Sequence, residues 1–170
     1  MKKGTFTNID LSSSLQGNLN TVSQIAFTPL SDHLLFGSIN GDFGVSLLEN
    51  KKSMILHNIG ENISHVKVPR DGVISALMGQ SNLAVYDLVK QIPFYSISNN
   101  NANCLDFGNR AGRLILGDKK GSLQFLDLRQ KSLSSEIKIS NCPIEELSIH
   151  PFQDFLMIGD SKGCLKVIYY

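Results

Sequence analysis

Four histidines, three cysteines, a serine run and a lysine-bearing glycine loop are the groups in this 170-residue sequence with the most chemical potential. His33, His57, His65 and His150 stand in four separate stretches, with no HExxH string and no second His at helical spacing. The converging nitrogen ligands of a zinc site are therefore not supplied. His150 precedes Pro151 and reads as part of a turn. Ser12, Ser13 and Ser14 lack the G-x-S-x-G context of an elbow nucleophile and fit a polar leader. The string GDKKG (residues 117–121) has the glycine and lysine of a phosphate-cradling loop but not its spacing. A strand pattern follows it, so no helix N-terminus would face a phosphate. Cys104, Cys142 and Cys164 are an odd set with no C-x-x-C pair, and they read as reduced core thiols. No catalytic residue, metal ligand or cofactor site is assigned, and the expected class is a binding surface, not an enzyme.

The elements that would carry such a surface follow from composition and pattern. Lys and Arg number 16 against 15 Asp and Glu, a net charge of +1, so no global field favours nucleic acid or an anionic membrane. There is also no aromatic-rich basic strand on which nucleotides could stack. Apolar residues make up 42% and charged ones 18%, a globular composition of one domain's length. Apolar runs are only a few residues long, and Met1, Lys2 and Lys3 lead into polar residues. A cytoplasmic protein is expected, with membrane association at most peripheral.

Internal repetition decides the fold expectation. Four segments, beginning at Val22, Ile63, Ala102 and Ile144, share one plan. Alternating apolar positions come first: Val22, Ile25, Phe27; Ile63, Val66, Val68; Ala102, Leu105, Phe107; Ile144, Leu147, Ile149. A Pro- or Gly-containing turn follows, then a short apolar strand ending at Gly37, Gly79, Gly117 or Gly159, a second turn, and a third strand. The second turns carry Gly41, Ser81, Gly121 and Gly163, and this spacing of about 40–45 residues with several short strands per unit is a propeller-blade signature. Fourth strands are expected near residues 53–56, 92–97 and 133–139, while the last repeat stops after its third.

The expected architecture is all-β: a propeller with four-stranded antiparallel blades at 22–62, 63–101, 102–143 and 144–170, the last with its final strand missing or supplied by residues 5–11, forming part of a larger ring. Residues 1–21 are a leader in which residues 5–11 (TFTNIDL) also alternate. These residues are either a strand supplying the missing outer position of a terminal blade or a frayed end.

The strings GDKKGSLQFLDLR (117–129) and GDSKGCLKVIYY (159–170) resemble the turn and final strand of WD repeats, with Tyr86-Asp87 and Leu126-Asp127 where that family has Trp-Asp. The Trp and the earlier Gly-His pair are missing, so the family's buried hydrogen-bond network is not implied here. Within that family, residues 100–170 most resemble the carboxy-terminal propeller of rabconnectin and DmX-like proteins. LGDKKGSLQFLDLRQ (116–130) and CPIEELSIHP (142–151) carry the similarity. The resemblance implies a scaffold in assembly of the vacuolar proton-pumping ATPase, with pump subunits as partners. Those proteins are very long, so this chain is expected to be a fragment, a separately encoded piece, or an unrelated short WD protein.

WD-type rings mostly have seven blades, and four are visible here. About eight apolar side chains on a bare blade face, at roughly 1.5–3 kcal/mol each, would forgo about 12–24 kcal/mol, more than the typical net stability of a whole domain, about 5–15 kcal/mol. A chain or segment completing the ring is therefore an expected partner. Loops of a rigid scaffold carry recognition. In the WD arrangement Asn40, Asn99, Asn100, Asn101, Lys119, Lys120, Asn141 and Lys162 share one rim, suited to an acidic or backbone-rich protein partner. Arg110, Arg113, Arg129 and Lys131 cluster on the opposite rim. A generic WD adaptor of another complex is the alternative function. A phosphoinositide-binding propeller is a weaker one, because its Phe-Arg-Arg-Gly motif is missing.

Overall fold

Alternating apolar residues punctuated by Gly and Asp turns fold here into fifteen short strands among the described residues. The computed structural model describes residues 21–29, 33–49, 52–99, 101–110 and 112–170. Residues 5–11 and Asn100 lie outside them.

The first sheet contains β1 (Val22–Phe27), β2 (His33–Ser38), β3 (Asp42–Leu47) and β4 (Lys52–Asn58). The second contains β5 (His65–Lys67), β6 (Ile74–Met78), β7 (Asn82–Asp87) and β8 (Ile92–Ser98). The third contains β9 (Ala102–Phe107), β10 (Arg113–Asp118), β11 (Ser122–Asp127) and β12 (Ser132–Lys138). The fourth contains β13 (Ile144–Ile149), β14 (Phe155–Asp160) and β15 (Leu165–Tyr169). Each is a simple antiparallel meander in chain order, four-stranded in the first three and three-stranded in the last. No strand crosses from one sheet to another, so the units are blades and not parts of one barrel.

Strand alternation sends every second side chain to each face of a blade, and three apolar layers result. Between blades 1 and 2, Leu35 and Phe43 meet Ile63, Val66, Leu77 and Tyr86. Between blades 2 and 3, Ala76, Met78, Leu83 and Val85 meet Leu105, Phe107, Leu114 and Leu116. Between blades 3 and 4, Cys104, Ile115, Leu123 and Phe125 meet Ile144, Leu147, Leu156 and Ile158. The core is thus a stack of junctions in which each blade is stabilised by its neighbours. Tyr86, where WD repeats carry Trp, is buried edge-on against Phe43 with ring centroids 5.4 Å apart.

Pairing register corrects one equivalence expected from sequence. Gly37, Gly117 and Gly159 lie opposite Phe43, Leu123 and Leu165. In blade 2 the residue opposite the matching Leu83 is Met78, not Gly79. The turn there is one residue shorter, and Gly79 belongs to the turn itself.

Candidate interaction surfaces

The loops between second and third strands and those between blades emerge at the same end of the fold. Backbone hydrogen bonds tie them together: Ile39 N–H to Thr21 O (3.0 Å), Lys119 N–H to Asn101 O (2.9 Å) and Ser161 N–H to Pro143 O (2.9 Å). This end carries Asn40, Lys119, Lys120, Asn141 and Lys162, all exposed, and half-buried Asn101. Asn99 differs. It is 8% exposed, its amide donates to Gly79 O and Ala102 O, and its Oδ1 accepts the Ala102 N–H at 2.8 Å. That side chain closes the loop between blades 2 and 3.

Carboxylates shape these turns. Asp118 Oδ1 accepts the N–H groups of Lys120 (2.9 Å) and Ser122 (2.7 Å), and Asp160 Oδ1 accepts those of Lys162 and Cys164. The Cys164 N–H and the Ser140 hydroxyl hold the Asp160 carboxyl below the usual range. Gly41, Gly121 and Gly163 complete the turns with φ of 88°, 86° and 78°, a region costly for side chains. The shorter turn of blade 2 has no such Asp. The carboxylate of Glu61, reaching in from the preceding loop, accepts the Ser81 and Asn82 N–H groups in its place.

At the opposite end, Asp87 and Asp127 cap the turns into the outer strands. Asp87 accepts from Val89 and Lys90, and Asp127 from Arg129 and Gln130. Arg110 and Arg129 are exposed here and Arg113 is half-buried. Lys131 is tied to blade 2, its Nζ 4.9 Å from the Phe94 ring centre and donating to Phe94 O. The four cations therefore share an end of the fold without all being free for a ligand.

The same end holds a cleft of about 520 Å³ that residue spacing did not reveal, lined by Arg70, Asp106, Asn109 and Arg110 among others. Arg70 donates from Nη1 to Pro151 O at 2.6 Å and lies over the Phe152 ring at 4.3 Å, joining blade 2 to blade 4. Asp106 Oδ2 accepts the Ile149 N–H, yet burial outweighs that bond and raises its carboxyl above the usual range. Nearer the inner lining, Lys67 pairs with Glu146 at 3.8 Å, and burial lowers the His65 imidazole. Arg70 is surrounded in sequence by turn residues, so only the proximity of two non-neighbouring blades exposes its role.

The four histidines do not converge. His57 lies beside Tyr86, His65 contacts Ser64 and His150 stacks on Phe155. Among the described residues no group of three or more His, Cys, Asp or Glu could hold a metal ion. Nor, among the described residues, is any helix long and apolar enough to cross a membrane.

Comparison with solved structures places this architecture. The chain superposes on a protein described as U3-55K with a TM-score of 0.73, and on the WD40 repeats of RRP9 with 0.72. Identity is 9% in each case, and the match covers 87% of this chain and 51% of each of those. The fold is therefore that of a WD40 β-propeller, and the chain spans about half the length of the propellers it matches. No family model matches the sequence, and no curated protein matches it.

Proposed function

We propose that this chain is a non-catalytic scaffold: a four-blade segment of a WD-type ring, completed by further blades, whose rims bind protein partners. The observation that carries this reading is the contrast between inner and outer junctions. Positions that are buried or half-buried where two blades meet carry apolar side chains on the two terminal faces as well, and several of these are exposed: Ile25 and Phe27 on blade 1, Leu165 and Val167 on blade 4. A half-ring presenting such faces gains stability only when they are covered.

Recognition is assigned to the exposed members of the first rim, Asn40, Lys119, Lys120, Asn141 and Lys162, with half-buried Asn101 beside them, as contacts for an acidic or backbone-rich protein. Rim cations of this kind mainly set association rate. The likeness of residues 100–170 to rabconnectin-type propellers supports a finer reading, a cytoplasmic factor in assembly of the vacuolar proton pump. Affinity isolation of the tagged chain from its own cells, with pump subunits quantified, tests this. Their enrichment, lost on charge reversal of Lys119 and Lys120, supports the finer reading. Absence of pump subunits removes it and leaves a scaffold of another complex.

A further inference from the structure

The three junctions inside the arc obey one packing rule. Near the end of each second strand stands a position that receives a residue from the start of the next blade. Gly37 receives Ile63 and Gly117 receives Ile144; a Cβ added to either glycine would lie 2.6 Å from the isoleucine Cγ2. In the middle junction the sizes are reversed, Met78 packing in the layer that holds Ala102. Small meets large each time, as dense packing requires.

Gly159 has the same register as Gly37 and Gly117, but a Cβ there would meet nothing within 4 Å. It is an empty socket. Val22 has the register of Ile144: Val22 lies opposite Ser38 as Ile144 lies opposite Asp160, each followed by a bulge. It is β-branched like Ile63 and Ile144, and within the arc no blade precedes it. Around the socket, Met157, Leu165 and Val167 are 41%, 67% and 53% exposed, whereas their counterparts Ile115, Leu123 and Phe125 are 0%, 0% and 4% exposed. Beside Val22, Ile25 and Phe27 match Leu147 and Ile149 of the buried third junction.

We infer that the covering partner is a second copy of this chain, the blade 4 face of each copy seating on blade 1 of the other with Val22 in the Gly159 socket. This rests on the ring-segment reading above and adds the identity of what completes the ring. Two arcs of four give eight blades, within the propeller range of about four to eight. The contact joins unlike surfaces yet closes after two copies, so it yields a discrete dimer and not a filament.

The test is the mass of the purified full chain by native mass spectrometry and light scattering, beside Gly159→Val and Gly117→Val. The unmodified chain is expected at twice its monomer mass. Gly159→Val fills the socket without touching its own blade, so it should keep the β-sheet spectrum while dimer affinity falls about tenfold or more. Gly117→Val collides with Ile144 and reports a folding defect by contrast. A dimer indifferent to Gly159→Val would overturn this interface. A chain that becomes soluble only with a different propeller segment would overturn the second copy while leaving the ring-segment reading intact. A folded, cooperatively melting monomer would overturn both.

Discussion

The carboxylate of Glu61 accepts the backbone N–H of Asn82 at 2.7 Å, and the Ser81 N–H at 2.9 and 3.0 Å, across a gap of about twenty residues. It does for blade 2 what Asp118 and Asp160 do for their own turns. A charge-assisted bond of this kind contributes about 1.5–3 kcal/mol. Glu61→Ala is expected to lower stability by about that amount in urea denaturation, with Glu61→Gln intermediate because an amide oxygen still accepts. An unchanged midpoint for Glu61→Ala would show that water replaces the carboxylate without loss.

Tyr86 joins blades 1 and 2 by packing and by a hydroxyl that donates to Leu56 O at 3.3 Å. Tyr86→Phe removes only the bond and should cost about 0.5–1.5 kcal/mol. Tyr86→Ala opens a cavity against Phe43 and should cost about 3–5 kcal/mol. Equal losses in the two variants, measured by thermal unfolding, would mean that the ring itself contributes little to this junction.

Gln91 has φ of 57° in the turn before β8, as Lys131 has φ of 53° in the turn before β12. Left-handed backbone costs a residue with a Cβ roughly 1–2 kcal/mol. Gln91→Gly should therefore raise stability, by a few tenths to about 1 kcal/mol after the added freedom of the unfolded chain is counted. The denaturant midpoint should move upward with an unchanged slope. Lys131 is a poorer choice because its side chain also holds blade 2.

Burial pushes the Cys104 thiol up to about 12, with Glu146 adding to the shift. In the unfolded chain the thiol ionises near its ordinary value of about 8.5. Because the folded value is the higher one, the folded state keeps the proton longer, and stability falls as pH rises from about 9 towards 12. Thermal unfolding across that window should show a steeper loss for the native chain than for Cys104→Ala. Parallel slopes would show that this thiol does not contribute to alkaline unfolding.

Blade number and strand order were legible in the sequence, because apolar alternation and turn glycines recur with a fixed period. The register of blade 2 was not. A deletion in its turn leaves Gly79 where a glycine was expected, and only strand pairing shows Met78 in that place. Glu61 lies in a loop without periodicity, so its link to Asn82 leaves no local trace. A run of asparagines cannot show which one closes a loop, and Asn99 does so while Asn101 lies half-exposed beside it. Arg70 meets Pro151 through the ring's curvature, which no pairwise spacing encodes.

Met78 and Met157 offer a direct comparison between a junction inside the arc and one at its end, being 1% and 41% exposed in the isolated chain. Hydroxyl-radical footprinting of the assembled native particle reads the oxidation of each methionine. If the terminal faces are blade junctions, Met157 should be protected to nearly the degree of Met78. Oxidation of Met157 at the rate of the unfolded chain, with Met78 protected, would show that the blade 4 face stands open and that the chain is not a segment of a closed ring.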